Sequence, residues 1–341
     1  MTDELGKAGS GEALTQPVTV SFVVIGYNEA QHLAACLESV RTARLGGEAF
    51  ELIYVDGGST DNSVERARAA RVDQLLGGDR RRRAAENRNL GLHAARGTFV
   101  QFLDGDMVLD PDWPAAALAL IRQAPDVSAV SGQLEERNRS RVYQALQLDW
   151  DTPEGPALFC GGAALFQRQV LLDSGGFPED VQYGEEPLLC WRLRNEFHQR
   201  IYHLHRRMAW HDLAYQGFLD YWRRNVRVGE TYADIAARLK HTAEPMWSRE
   251  VNNTLFWGAA LTVALLLLIL APVQGKLLLL ILFAALLARK TIQTLSRGVP
   301  LSVAFLYAAH TYFAKLGAAW GMVRAGFRRR IGRSTDSVDI R

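Results

Sequence analysis

Two aspartates one residue apart, Asp104 and Asp106 around Gly105, stand directly behind the apolar run Thr98 to Leu103. A short apolar run that ends in a glycine-containing turn reads as a buried strand, and its carboxyl end is where open α/β sheets place their ligands. Carboxylates so placed suit Mg²⁺ or Mn²⁺, hard ions held by one or two acids together with substrate phosphates. An Asp-x-Asp turn can therefore clamp a nucleotide diphosphate; taken alone, the tripeptide reads more simply as an ordinary solvated turn. Other polar residues that could do chemistry recur in the same kind of place. Tyr27 and Asn28 follow Val18 to Ile25, Asp56 follows Leu52 to Val55, and the adjacent acids Glu185 and Glu186 open a helical pattern.

The elements that must position these residues alternate. Val18 to Ile25 is a strand, followed by a helix with Leu33, Cys36, Leu37 and Val40 at helical spacing. Leu52 to Val55 is a second strand, ending at Asp56-Gly57-Gly58-Ser59-Thr60-Asp61, where Ser59 or Thr60 can cap the next helix. A third helix over Glu86 to Gly97 leads into the 98–103 strand. Such alternation predicts a parallel sheet with covered faces. Parallel strands bring Tyr27, Asn28, Asp56 and Asp104 to one edge, a polar crevice suited to a base and a ribose. Gly-x-Gly-x-x-Gly does not follow the first strand and no Gly-Lys-Ser/Thr loop occurs, which argues against dinucleotide and P-loop chemistry. Arg80 to Arg83 form either a phosphate-seeking guanidinium cluster or a solvated loop.

Four motifs in order, Val24-Ile25-Gly26-Tyr27-Asn28-Glu29, Val55-Asp56-Gly57-Gly58-Ser59-Thr60-Asp61, Arg88-Asn89-Leu90-Gly91 and Phe102-Leu103-Asp104-Gly105-Asp106, resemble the family 2 glycosyltransferases of the GT-A fold. The resemblance covers about residues 18 to 230. It implies a mixed, mainly parallel α/β sheet and a nucleotide-diphosphate sugar as donor. Tyr27, Asn28, Glu29, Asp56, Arg88, Asn89 and Asp104 would then bind the donor, with Asp56 at the nucleobase and Asp104 at the ribose or the metal. Asp106 would hold the divalent ion. Many relatives carry a second acid after the position of Asp56, where this chain has Gly57.

Beyond residue 110, Ala115 to Gln123 reads as a helix and Val127 to Gly132 as a strand. Phe159 to Phe166 reads as a strand opened by Gly161 and Gly162, either an acceptor approach or an edge bulge. Two acids at a helix start suit the helix dipole. They also suit a general base, because sugar transfer with inversion needs a carboxylate to take the acceptor proton. By resemblance the Glu185-Glu186 pair stands where the family has Glu-Asp, which points to Glu186, with Glu185 as the alternative. His211, in Trp210-His211-Asp212, completes the metal site by the same resemblance, or is a strand-end histidine with a backbone partner. Phe218 to Arg227 reads as a basic-aromatic helix for the membrane interface, its arginines, Arg224 among them, near a lipid phosphate or the donor diphosphate. Trp222 is the acceptor-side aromatic. Processive relatives carry Gln-x-x-Arg-Trp here, whereas Trp222 precedes Arg223, so single additions are expected.

At 341 residues and a net charge of +2, with basic residues gathered in clusters, the chain fits phosphates or anionic lipid better than nucleic acid. Three scattered cysteines without a Cys-x-x-Cys pair suggest a reducing compartment. Residues 1–16 read as a disordered lead-in without a signal peptide, and 17–250 as the GT-A domain. Leu255 to Ala271, 17 apolar residues, and Leu277 to Ala288, 12 more, predict a transmembrane hairpin over 251–290. A third crossing over 299–323 would export the basic tail, so residues 291–341 read as an interfacial or re-entrant helix with a cytoplasmic tail. The expectation is a metal-assisted, inverting transferase on the cytoplasmic face of a bacterial-type inner membrane, acting on a lipid-linked acceptor. A sugar-nucleotide nucleotidyltransferase and an inert membrane scaffold are the rivals.

Overall fold

The structure, a computed structural model, describes residues 17–211, 215 and 217–331. The lead-in expected over 1–16, Asp212 and the end of the basic tail lie outside the described residues. The strands are β1 (Val20–Gly26), β2 (Phe50–Asp56), β3 (Gln74–Gly77), β4 (Phe99–Asp104), β5 (Val108–Leu109), β6 (Val127–Glu136), β7 (Gly155–Ala157), β8 (Leu165–Gln167) and β9 (Arg200–His211). The helices of the sheet domain are α1 (Leu33–Arg41), α2 (Ser63–Ala69), α3 (Ala84–Ala94), α4 (Trp113–Gln123), α5 (Arg141–Gln147), α6 (Arg168–Asp173) and α7 (Glu185–Asn195). Four more follow: α8 (Phe218–Arg238), α9 (Ser248–Leu270), α10 (Val273–Leu295) and α11 (Leu301–Arg330).

The strands form one mixed sheet in the order β3-β2-β1-β4-β8-β6-β9-β5, with β7 added against β9. Strands β3, β2, β1 and β4 run parallel, and β8 enters antiparallel between β4 and β6. The chain steps outward from β1 to β3 and then returns to the other side of β1 as β4. That reversal opens a crevice at the carboxyl ends of β1 and β4. The register puts the chemistry level: Gly26 lies opposite Asp56, and Ile25 opposite Asp104.

Alternation along β1 supplies both faces. Phe22 and Val24 join Leu33, Cys36 and Leu37 of α1 and Trp113 of α4 in one core. Val23 and Ile25 face the other, with Leu92 of α3, Leu171 of α6, Leu189 and Leu193 of α7, and Phe177. At Gly91 an added Cβ would lie 2.3 Å from Val23 Cγ1, so α3 sits as close to the sheet as its backbone permits.

The structure departs from the sequence reading in several elements. Strand β3 was not anticipated; it is four residues long and only half-buried. The strand read over Phe159 to Phe166 begins only at Leu165, and residues 158–164 form a loop in which Gly161 has φ of 76°. The helix read over Phe218 to Arg227 continues to Arg238.

The apolar runs lie inside longer helices, since the polar flanks Ser248 to Thr254 and Arg289 to Leu295 remain helical. Both α9 and α10 are 23 residues and apolar enough to cross a membrane, by length and composition. Each is about 34 Å long at ~1.5 Å per residue. Their side chains face outward, as at Phe256, Leu265, Ile269, Leu278 and Ile281.

Helix α11 lies along α8. A Cβ on Gly229 would come within 1.9 Å of the Ala318 carbonyl oxygen, and one on Gly321 within 2.0 Å of that of Val226. Small residues here let two helix backbones touch, the packing device of membrane helices. Ion pairs fix the far end, from Arg324 and Arg328 to Glu230 at 3.1 and 3.3 Å and from Arg329 to Asp234 at 2.6 Å.

Candidate active site

Asp56, at the end of β2, is fully buried and spends its carboxylate on the loop that follows. It accepts the backbone N–H groups of Gly58 and Ser59 at 2.9 and 2.8 Å, the Ser59 hydroxyl at 2.6 Å and the Tyr54 hydroxyl at 3.2 Å. Asn28 crosses to the same loop: its backbone N–H donates to Ser59 Oγ and its Oδ1 accepts from Thr60 N–H, at 2.9 and 2.8 Å. Its φ of 57° is a left-handed conformation that Asn tolerates better than most residues. The β1 and β2 loops are thereby joined into one rim. Tyr27 stands on that rim, 38% exposed, with the Arg81 guanidinium 3.5 Å from its ring centre. Arg80 pairs with Glu86 and Arg82 with Asp79, so the basic run folds back as a wall of the crevice.

Asp104 and Asp106 occupy the turn between β4 and β5. Strand β5 pairs with β9, Val108 opposite Trp210, and this brings His211 at the end of β9 to the turn. His211 Nε2 lies 3.2 Å from Asp106 Oδ2. Asp106 Oδ1 and His211 Nδ1 are both buried and have no hydrogen-bond partner among the described residues. Glu29 crowds the same turn; burial and then the charges of Asp106 and Asp104 push its carboxyl up to about 7. Burial also raises Asp104, with Arg88 opposing and Asp106 adding to the rise. Against the effect of its burial, Asp106 and Asp104 favour the protonated form of His211. Two carboxylates and an imidazole that gives up its proton when a metal binds make a donor set suited to Mn²⁺ or Mg²⁺.

Arg88 joins the two halves of the site. It is buried on α3 and forks, Nη2 to Asp104 Oδ1 at 2.9 Å and Nη1 to Glu185 Oε1 at 2.6 Å. Gly162 makes room for it, since a Cβ there would lie 2.3 Å from Arg88 Nη2. The paired glycines thus admit a guanidinium as well as opening the loop. Asn89, next to Arg88, faces away from the crevice. Its amide closes on both backbone groups of Phe177, each at 2.8 Å, and donates to Glu179 at 2.7 Å, pinning the 175–178 turn to α3.

The two acids of α7 part company. Glu185 points to Arg88, whereas Glu186 is 5% exposed and its Oε1 accepts from Cys160 N–H at 2.6 Å and Cys190 Sγ at 3.0 Å. Burial raises the affinity of Glu186 for a proton, against the lowering effect of those bonds. Since Cys160 immediately precedes Gly161 and Gly162, this carboxyl lies against the glycine loop.

Arg224 and Trp222 lie on α8, on the far side of Trp150. Arg224 sits 5.9 Å from the Trp150 ring centre, and Trp150 meets the His211 ring edge-on at 5.5 Å. Trp222 packs toward Gly317 of α11. Trp150 carried no signal in the sequence, because it lies in an irregular stretch after α5 with no periodicity to mark it.

The strand-order reversal, with an Asp-x-Asp turn at its carboxyl edge, is the architecture of the GT-A fold. Residues 21–172 match the family described as Glycosyl transferase family 2. Residues 21–172 therefore carry a glycosyltransferase family 2 domain. It is 31% identical over 120 residues to the glycosyltransferase AglE of Haloferax volcanii, covering 34% of this chain and 39% of that protein. It is 25% identical over 234 residues to the poly-beta-1,6-N-acetyl-D-glucosamine synthase of Staphylococcus epidermidis, covering 64% and 56%. The chain thus spans about half the length of these relatives or less. Among solved structures, the mannosyltransferase PcManGT from Pyrobaculum calidifontis, in complex with GDP-Man and Mn²⁺, aligns with a TM-score of 0.62 at 22% identity over 88% of each chain. S. aureus TarS 1-349 aligns at 0.50 and 16% over 92% of each. At these identities the likeness is one of fold.

Proposed function

We propose that the chain transfers a sugar, with inversion and one unit at a time, from a nucleotide-diphosphate donor to a lipid-linked acceptor at the cytoplasmic face of a membrane, with a divalent metal. The observation that carries this is the pair of orphaned buried atoms, Asp106 Oδ1 and His211 Nδ1, at the carboxyl edge of β4. The fold shared with PcManGT, a structure that holds GDP-Man and Mn²⁺, supports a nucleotide sugar and a metal here.

In this reading the rim built by Asp56, Asn28 and Ser59 seats the nucleoside beside Tyr27 and Arg81. Asp104, with Glu29 nearby, reaches the ribose and supports the metal site. Asp106, Asp104 and His211 would hold the ion, which when bound neutralises charge on the departing diphosphate. Arg88 keeps Asp104 and Glu185 in register and masks part of their mutual repulsion. The acceptor crosses the Gly161-Gly162 loop. Its hydroxyl oxygen bonds to the anomeric carbon, the bond from that carbon to the diphosphate oxygen breaks, and Glu186 takes the hydroxyl proton.

Glu186 suits this role because burial raises its affinity for a proton, whereas Glu185 is committed to Arg88. The exposed apolar helices α9 and α10 favour an acceptor presented at a lipid surface. Replacing Glu186 by Gln should abolish transfer while nucleotide binding persists. A dead Glu185→Gln beside an active Glu186→Gln moves the role to Glu185.

A further inference from the structure

A second concavity, of about 430 Å³, lies between the sheet domain and the C-terminal helices, lined by Asp149, Trp150, Arg224, Asn225, Thr254 and Lys315, among others. Its charges are unbalanced. Asp149 is already engaged by His310 Nε2 at 2.8 Å and the Tyr307 hydroxyl at 3.0 Å. Arg224 rests over the rings of Trp150 and Tyr215, and neither it nor the half-buried Lys315 forms an ion pair among the described residues. Two half-buried cations share the cavity with one carboxylate, Asp149, which also serves His310 and Tyr307, and this excess of positive charge calls for an anion.

The cavity continues into an apolar groove of about 410 Å³ between α5, α8 and α11, lined by Val142, Leu146, Phe218, Tyr221, Leu306 and Phe313. Leu146 and His310 belong to both spaces, and Phe218, Phe313 and Val142 leave more than half their surface open. Thr254 of α9 lines the cavity, and two residues on, Phe256 begins the exposed apolar surface of that helix at 65% exposure. The cationic space therefore stands where the apolar helices begin. Trp150 forms its wall and also touches the His211 ring at 5.5 Å, one side chain away from the metal-competent turn.

We infer that this cavity and groove are the acceptor-lipid site: a diphosphate head sits between Arg224 and Lys315, and its isoprenoid chain runs along the α5–α8–α11 groove. The inference rests on the proposed lipid-linked acceptor and gives it a place. Arg224 then serves the acceptor's diphosphate and not the donor's. A sugar carried on that head would reach past Trp150 toward the anomeric carbon.

The test is equilibrium binding of farnesyl diphosphate to the full chain in detergent, with EDTA present so that the Asp-x-Asp turn holds no metal. Lys315→Gln and Arg224→Gln should each weaken binding by about tenfold or more, the loss of one charged contact, while Lys315→Arg stays near wild type. Phe218→Ser, on the surface, should weaken farnesyl diphosphate but leave the weaker binding of inorganic pyrophosphate unchanged. Wild-type affinity in both Gln variants would overturn the assignment. So would inorganic pyrophosphate binding as tightly as farnesyl diphosphate, which would mark an anion site with no lipid. Should Lys315→Gln fail to fold, Lys315→Arg and Phe218→Ser still decide. The assay needs no donor and no turnover, so it can fail while metal-dependent transfer succeeds, and the reverse.

Discussion

At the scale of single residues, the site divides between groups that build and groups left open. Asp56 and Asn89 have spent their polar atoms on neighbouring backbone and side chains, so their removal should act through the loops they hold. Asp106 and His211 retain unpartnered buried atoms at the turn where the acids collect, and a ligand there would satisfy them. His211→Gln should therefore weaken Mn²⁺ binding by about tenfold or more, read by calorimetry, with little change in melting temperature. Glu186 predicts a pH effect with a definite sign. Its folded-state pKa is raised by burial, so the deprotonated, proton-accepting form accumulates only as pH climbs above the ordinary carboxylate range of about 4. The kcat/KM profile should show an acid limb above that range, with activity rising as pH rises through it. Glu186→Gln should remove the limb and lower kcat by about 10²-fold or more. Glu185→Gln should keep it.

At the scale of elements, the parallel half was legible because each strand there is a local apolar run closed by a polar turn. Asp104, Asp106, Asp56 and Asn28 could be placed at one edge from that pattern alone. Strand β3 was not legible, being short and half-buried, and the approach of His211 to Asp106 was indicated only by the family resemblance and not by local pattern. That approach depends on β5 pairing with β9, a contact between segments about a hundred residues apart that no local period encodes. The burial of Glu186 was hidden for a similar reason, since Cys160 and Cys190 meet it from a loop and from its own helix. The close packing of α11 on α8 depends on Gly229 and Gly321, whose spacing within each helix says nothing of the partner. Gly321→Val should force the two backbones apart and cost about 1–3 kcal/mol, seen as a lower melting temperature in detergent. Gly326→Val, where an added Cβ meets nothing within 4 Å, is the control and should melt like the wild type.

At the scale of the whole molecule, a water-facing sheet domain is joined to a pair of helices whose apolar side chains face outward. An exposed apolar surface of that extent marks a membrane or interaction face. The chain should sediment with membranes, resist alkaline carbonate extraction and require detergent for release; recovery in the carbonate supernatant would remove the membrane from the account. The site lies at the β1–β4 reversal, and the cationic cavity lies between it and the apolar helices, so in the proposed reading donor, acceptor head and lipid chain follow one another in space. All of this presumes that the Asp-x-Asp turn holds a metal with a nucleotide sugar. The most direct test is transfer of labelled sugar from a panel of UDP-, GDP- and dTDP-sugars to a membrane lipid extract, with Mn²⁺ or with EDTA, by the wild type and by Asp106→Ala. The account predicts a labelled lipid product from at least one donor with Mn²⁺, none with EDTA, and at least a hundredfold loss in Asp106→Ala. Full transfer in EDTA, or full transfer by Asp106→Ala, would contradict it.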